Sequence, residues 1–339
     1  MKKILNSKET LIEDMLAGFI AAEGKRVAQS SANSQVLFRK EKKAGKVGIV
    51  SGGGSGHEPL FFGLLGKNMV DAVAIGNFFA APTPGTVLEA IKQADQGAGV
   101  ICLFGNYAGD VLNFDMGVEL AEMEDIKAYN LPIADDVASA GKEEQRERRG
   151  IAGDLFVIKE VAAAAAQGCS LEECLRVGES ANQRIFSIGV GISPGTNPVN
   201  GQKNFELADD EIEFGLGIHG EPGIERMKML DAKSLVQRMV DKLLVELMLF
   251  EEKEVIVCIN GLGATTHLEL YTVNHEVDKL LREKNFNVYD TVVGSICTTQ
   301  EMAGFSITVQ VLTEELKEMY QMDAYSPCYF HKSNGDKSR

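Results

Sequence analysis

Gly45-Lys-Val-Gly-Ile-Val-Ser-Gly-Gly-Gly-Ser-Gly-His-Glu-Pro59 is the stretch that decides the fold class. Val47–Val50 is short, apolar and β-branched, the pattern of a strand buried on both faces in a parallel sheet. Three consecutive glycines follow, and they predict that the strand empties straight into a turn. Glycine admits positive φ and lets a ligand approach main-chain N–H groups that a Cβ would shield. Ser55 and His57 come next, so a donor-rich loop carries a group that titrates near neutral pH. Open α/β sheets bind their ligands beyond the carboxyl ends of their strands, and the stretch therefore locates a site as well as a strand.

Working outward, Leu11, Met15 and Phe19 recur on one helical face within residues 8–23. Val70–Ile75, Gly99–Phe104 and Ala128–Ile133 repeat the short apolar strand, separated by helix-length segments such as Pro84–Gly97 and Gly117–Glu124. That alternation predicts βαβ units. Residues 150–168 read as a small-residue helix with Gly168 as its C-cap. Beyond about residue 183 the texture changes. Ser187–Ile192 is a glycine-spaced strand, Ser193–Lys203 a turn-rich loop, and Glu213–Ile218 a strand running into Gly217-Ile-His-Gly-Glu-Pro-Gly223. A helix over 231–248 and strands at Val255–Asn260 and Phe305–Val311 complete the pattern. The expectation is an α/β protein of two domains, 1–183 and 184–339, each a largely parallel or mixed sheet flanked by helices.

The chain has 339 residues, too many for one ordinary core, and a net charge of −15, which argues against nucleic acid and against an acidic membrane surface. No apolar run is long enough to span a bilayer, and the N-terminus lacks a signal-peptide centre. Six scattered cysteines without a Cys-x-x-Cys pair read as reduced, buried thiols of a cytoplasmic protein.

Two of the five histidines lie inside glycine-rich loops, His57 after the triple glycine and His219 between Gly217 and Gly220. A histidine among glycines has little packing to do, so its nitrogens are available for chemistry. His267, His275 and His331 read as ordinary surface or helix residues. Asp110 closes Gly105-Asn-Tyr-Ala-Gly-Asp110 just after a strand, on the rim that bears Gly52–His57; it reads either as a helix N-cap or as an acid–base partner for a histidine. No metal-ligand spacing accompanies these groups. Gly53-Gly-Ser-Gly-His57 is not the Gly-x-Ser-x-Gly nucleophile elbow, and no Gly-x-x-x-x-Gly-Lys-Ser/Thr loop occurs. The chain is equipped to hold a small polar molecule, without obvious equipment for a nucleotide.

Ser51–Pro59, Pro82-Thr-Pro84, Asn106-Tyr-Ala-Gly-Asp110 with Asn113-Phe114, Arg148-Arg-Gly150, Gly215–Gly223 and Asn260-Gly-Leu-Gly-Ala-Thr265 together resemble the substrate-binding subunit of dihydroxyacetone kinases, in order, from about residue 3 to about 328. The resemblance implies that His219 holds the carbonyl of a short ketose as a hemiaminal, a bond that selects carbonyl compounds over polyols. It implies that His57 and Asp110 form the acid–base pair, and that Gly53, Gly54, Ser55, Gly56 and Gly105 surround the substrate. The phosphoryl donor would reside on a separate helical, nucleotide-binding subunit: ATP, or ADP rephosphorylated by a phosphotransferase-system protein. The chain itself would bind no cofactor, would form a homodimer, and would phosphorylate only with that partner.

One departure bears on the substrate. In the family this chain resembles, subunits devoted to dihydroxyacetone usually carry a lysine where this chain has Gly105. Losing it removes a charge and opens space, and together with Asp135–Ala140 and Arg148–Asp154 it resembles members acting on four-carbon erythrulose. The alternative function, from a different class, is a ketose-sensing coactivator of transcription; paralogues of that kind can retain the covalent histidine.

Overall fold

A computed structural model describes residues 2–333, and its chain divides into two compact bodies. The first gathers residues 2–132, 156–180 and 316–333; the second gathers 133–155 and 181–315.

The first body is built on a six-stranded sheet of β1 (Val27–Gln29), β2 (Val36–Arg39), β3 (Gly48–Ser55), β4 (Ala72–Phe78), β5 (Val100–Gly105) and β6 (Ala128–Ile133), in the order β1-β2-β4-β3-β5-β6. Helices α1 (Leu11–Glu23), α2 (Pro84–Ala94), α3 (Ala108–Glu122), α4 (Asp154–Gln167) and α5 (Leu171–Asn182) accompany it. β3 lies parallel to both β4 and β5, with Val50 opposite Ala72 and Cys102, while β1 and β2 are antiparallel additions at the edge. The apolar run at Val47–Val50 thus sits at the centre of the sheet. One face packs Val50, Ala72, Ala74, Cys102 and Phe104 against Val87 and Ile91 of α2 and Phe114 of α3. Phe104 and Phe114 stack at 4.1 Å. Each buried Val, Ile or Phe among them contributes about 1.5–3 kcal/mol, so this face holds α2 and α3 against the sheet and in turn places the rim. α2 starts where the Thr83 side chain accepts the Thr86 N–H, with Pro84 inside the first turn.

α4 has no polar face. Leu155–Ala165 is buried throughout, Lys159 and Glu160 included. The Lys159 ammonium donates to the Met319 carbonyl at 2.9 Å, and burial lowers its pKa to about 8 against the pull of Glu160 and Asp323. Gly168, at φ +92°, ends the helix as expected.

The second body holds β7 (Ile185–Ser193), β8 (Glu211–Phe214), β9 (Glu225–Lys228), β10 (Glu254–Gly261), β11 (Asn287–Gly294) and β12 (Ala303–Val311), ordered β11-β10-β12-β7-β8-β9. Only β10 and β11 run parallel. α6 (Ala232–Leu247) and α7 (His267–Glu283) supply Met239, Leu243, Val273 and Val277 to a core with Ile188, Val257, Ile259 and Ile307. Thr266 and Glu269 form a reciprocal capping box at the start of α7.

The architecture is the expected mixed α/β pair of sheets, but the division is not a single cut near residue 183. Residues 133–155 belong with the second body for a backbone reason. β8 covers only Val190 and Gly191 of β7, leaving the earlier half of that strand open on one side. Asp135–Val137 fills it: Ser187 donates to the Asp135 carbonyl at 2.7 Å, and Val137 donates to Ser187 at 2.9 Å. In exchange, the segment from Leu316 returns to the first body, where Tyr325 donates to the Lys67 carbonyl at 3.0 Å.

Candidate functional site

In the first body the parallel strands β3, β4 and β5 end on one rim. β3 runs on through Gly52, Gly53, Gly54 and Ser55, so the triple glycine is strand and not turn. None of the three has positive φ; the left-handed conformation comes only at Gly56, at +112°. Crowding explains them instead. A Cβ on Gly52 would run into the Ala74 carbonyl oxygen, one on Gly53 would lie 2.5 Å from the Phe61 ring, and one on Gly54 would lie 2.8 Å from the Ala80 nitrogen. The expectation that the triple glycine is a turn using positive φ is corrected to a tightly packed strand end.

Ser55 Oγ donates to the Gly76 carbonyl at 2.8 Å, tying β3 to β4, and the Ser55 carbonyl accepts from Phe79 N–H at 2.9 Å. Gly56 N–H reaches both oxygens of Glu58 at 3.0 Å. Burial raises the Glu58 pKa, opposed by those backbone hydrogen bonds. His57 is 2 % exposed and stacks on Phe79 with ring centroids 5.1 Å apart. Gly105 is the last residue of β5 and is buried. Asp110 follows in the first turn of α3, which begins at Ala108. The helix starts earlier than the expected 117, and Tyr107 occupies the N-cap position, so Asp110 is not the cap. Its carboxylate lies at the positive end of the helix, where negative charge is favoured. The rim thus collects Gly53, Gly54, Ser55, Gly56, His57, Gly105 and Asp110 from the ends of two neighbouring parallel strands and the segments that follow them.

His219 belongs to the second body, in the loop joining β8 to β9. Ile224 N–H to the Phe214 carbonyl at 2.8 Å closes the base of that loop, and Gly217 N–H to the Glu221 carbonyl at 3.1 Å closes its tip. Gly215 and Gly220 have φ of +81° and +92° and do use glycine's freedom. The His219 N–H donates to Glu221 Oε2 at 2.9 Å, and Nδ1 meets Oε1 of the same carboxylate at 2.8 Å. Burial works to raise the Glu221 pKa, but the hydrogen bond and charge of His219 outweigh it and hold the carboxyl at about 2. The His219 side chain is 28 % exposed. Glu221 was not among the sequence candidates; a glutamate two residues after a loop histidine was the signal available.

Three further groups fix this loop. Thr299 Oγ1 donates to the Ile218 carbonyl, and Asn204 Nδ2 donates to the His219 carbonyl at 3.5 Å. Arg149 donates to the Gly215 carbonyl at 3.2 Å while pairing with Asp136 at 2.7 Å. Burial lifts Asp136 to about 6, a shift that Arg149 restrains. A Cβ on Gly217 would lie 2.5 Å from the Arg149 guanidinium, so the glycine is what lets Arg149 back the loop. Asp135 next door accepts Ile151 and Gly153 N–H groups at 2.7 and 2.8 Å, and burial raises its pKa.

Chemically, a carboxylate accepting from Nδ1–H selects the imidazole tautomer whose lone pair is on Nε2 and stabilises the ring as it becomes positive. That is the electronic arrangement of a nitrogen nucleophile. Among the described residues, no group of three or more His, Cys, Asp or Glu side chains is arranged to hold a metal ion, and no helix is long and apolar enough to cross a membrane. Four of the six cysteines are buried, whereas Cys328 is exposed, which corrects the expectation for that thiol.

Two mixed α/β bodies, each presenting a glycine-rich segment that carries a histidine, define the class. The chain belongs to the Dak1 domain family, which it matches over residues 17–328. It is 41 % identical over 331 residues to the dihydroxyacetone-binding subunit DhaK of PTS-dependent dihydroxyacetone kinase 2 from Listeria innocua, covering 97 % of this chain and 99 % of that protein. It is 38 % identical to a D-erythrulose kinase of Mycolicibacterium smegmatis, over 97 % of this chain but 56 % of that protein. Among solved structures, the dihydroxyacetone kinase operon co-activator Dha-DhaQ superposes with a TM-score of 0.89 at 29 % identity, over 94 % of this chain and 98 % of that one.

Proposed function

We propose that this chain is the ketose-binding subunit of a dihydroxyacetone-type kinase and that His219 holds its substrate covalently. The observation carrying the reading is the His219–Glu221 contact of 2.8 Å, which assigns the lone pair to Nε2. Attack by Nε2 forms a C–N bond to the ketose carbonyl carbon, and the π electrons move to oxygen. The alkoxide takes a proton from the acid of the His57–Asp110 pair, the ring's Nδ1 proton passes by way of Glu221 to solvent, which reprotonates that acid, and the product is a neutral hemiaminal beside an ionised Glu221. His57 and Asp110 are the acid–base pair that assists this addition and then activates the terminal hydroxyl for phosphoryl transfer. Main-chain groups of Gly53–Gly56 and the surface around Gly105 hold the hydroxyls.

No nucleotide motif occurs in the chain, and the relatives named as subunits support donation in trans. The donor, ATP or rephosphorylated ADP, would therefore come from a nucleotide-binding partner, with this chain acting as a homodimer. Gly105 favours a substrate one carbon longer than dihydroxyacetone, and the likeness to a D-erythrulose kinase supports that choice.

Intact-protein mass spectrometry with dihydroxyacetone, D-erythrulose and L-erythrulose tests the reading. A gain of one ketose in the wild type that is absent from His219→Ala is the expected result, with erythrulose preferred. A folded wild type showing no adduct with any ketose would overturn covalent capture.

The second reading, a ketose-sensing coactivator, draws on the structural likeness to Dha-DhaQ. It predicts adduct formation without phosphoryl transfer when a nucleotide-binding kinase subunit is supplied.

A further inference from the structure

A concave site lies in the first body, lined by none of the residues of the rim that bears His57 and Asp110. It is a groove of about 500 Å³, within the usual range for small-molecule sites, and its lining comes wholly from this body. Lys25, Arg26, Arg39, Lys40 and Lys67 face it, with only Glu23 and Glu41 as acids. A cationic concavity on a chain of net charge −15 runs against the field of the rest of the molecule.

The fold builds this groove deliberately enough to hold its shape. β1 pairs with β2, placing Val27 opposite Arg39, and Lys40 N–H donates to the Arg26 carbonyl at 2.9 Å. Tyr325 pairs with Lys67 across the floor, and Gly66 is required there because any Cβ would run into the Tyr325 carbonyl oxygen. The Arg26 guanidinium lies 5.2 Å from the centroid of the Tyr325 ring, a cation–π contact that fixes the planar fork against the wall. The charges are not equally spent. Arg39 is consumed by Asp71 at 3.0 Å, Arg26 is shared with Glu23 at 3.1 Å, and Lys40 donates to the Gly24 carbonyl. Among the described residues, Lys25 and Lys67 make no salt bridge or side-chain hydrogen bond.

We propose that this groove is a binding site for a small polyanion bearing two or more clustered negative groups, either phosphates or carboxylates. Lys25 and Lys67 supply the uncommitted charge, and Arg26 on Tyr325 supplies a preorganised fork suited to bidentate contact. Occupancy of the groove is independent of ketose capture at His219.

Isothermal titration at constant ionic strength tests it, using the whole chain with pyrophosphate and, separately, citrate. The variants are a Lys25→Ala/Lys67→Ala pair and Lys233→Ala, an exposed control at the start of α6 in the other body. The expected result is saturable binding of at least one probe, weakened about tenfold or more by the double substitution and unchanged by the control. Pyrophosphate without citrate identifies a phosphate ligand; citrate without pyrophosphate identifies a polycarboxylate. Absence of saturable binding to the wild type, or equal binding by the double variant with an unaltered melting temperature, would overturn the site.

Discussion

The two glycine-rich segments look alike in sequence, Gly56-His-Glu-Pro59 and His219-Gly-Glu-Pro222, yet the structure gives their histidines different surroundings. In both, the glutamate accepts the backbone N–H two residues before it: Gly56 N–H onto Glu58, and His219 N–H onto Glu221. The carboxylate contact is shared but the turn is not: the donor Gly56 has φ +112°, whereas in the second segment the positive φ falls one place later, on Gly220 at +92°. In the second segment the residue under the carboxylate is itself the histidine, so one carboxylate grips both its backbone and its Nδ1. In the first, the histidine sits one place later and stacks on Phe79. The glutamates respond in opposite directions: burial raises Glu58, while His219 overrides burial at Glu221 and draws it down. A one-residue permutation thus separates a buried, ring-stacked histidine from a half-exposed one poised on a carboxylate.

The sharpest way to break the comparison is Gly52→Ala. Its Cβ has no space beside Ala74, so we expect about 3 kcal/mol of lost stability, measured by denaturant unfolding. Gly220→Ala should cost less, about 1–2 kcal/mol, because the penalty there is mainly the positive φ. A larger loss from Gly220→Ala than from Gly52→Ala would reverse the distinction between a crowded strand end and a flexed loop.

Glu221→Gln comes next. An amide cannot neutralise the developing imidazolium, and the ketose adduct should fall about tenfold at equilibrium, or about 1.4 kcal/mol. The melting temperature should fall modestly too, because the substitution removes the same ionised carboxylate whose contribution is lost in acid, whereas His219→Gln, which keeps the carboxylate, abolishes the adduct. Glu58→Gln keeps an acceptor for Gly56 N–H and should leave the adduct within about twofold of the wild type.

The smallest effect is the pH response. Glu221 is depressed, so its contribution is complete above the ordinary carboxylate value of 4.5 and is lost as pH falls toward about 2. Glu58 is raised, so its contribution is present in acid and is lost as pH rises through its folded-state value. Hydrogen exchange between pH 5 and 2 should therefore show protection lost around 217–223 but not around 56–60. Parallel loss in both segments would mean that the carboxylates titrate alike.

Much of the first body was legible in the sequence because its information is local. Val47, Ile49 and Val50, broken only by Gly48, form a short apolar run of the kind a central strand carries, and strand direction then puts Gly105 and Asp110 on the same rim as Ser55. The reason for the glycines was not legible. Their partners, Ala74, Phe61 and Ala80, touch them only after the sheet has formed. The true start of α3 was hidden by Gly109, a weak helix former inside the first turn. In the second body β9 is four residues long and mostly exposed, so it carries no period-2 apolar signal. His331 reads as a surface residue by composition but is buried beside Tyr320, where Phe330–His331 pairs antiparallel with Ala324–Tyr325. The exchange of 133–155 into the other body depends on an unpaired stretch of β7, which no local pattern records.

That exchange carries a consequence for how the protein is made. The first body needs residues from Leu316 onward: Lys159 of α4 is sealed by the Met319 carbonyl, and Tyr325 pairs with Lys67. A ribosome delivers those residues only after the whole of 181–315 has emerged, so the body begun first is finished last. Throughout synthesis of β7 to β12, the buried amine of Lys159 and the apolar length of α4 lack their final cover. The second body is the earlier of the two to become complete, and the first closes only when the Glu314–Gln321 helix and the residues after it arrive.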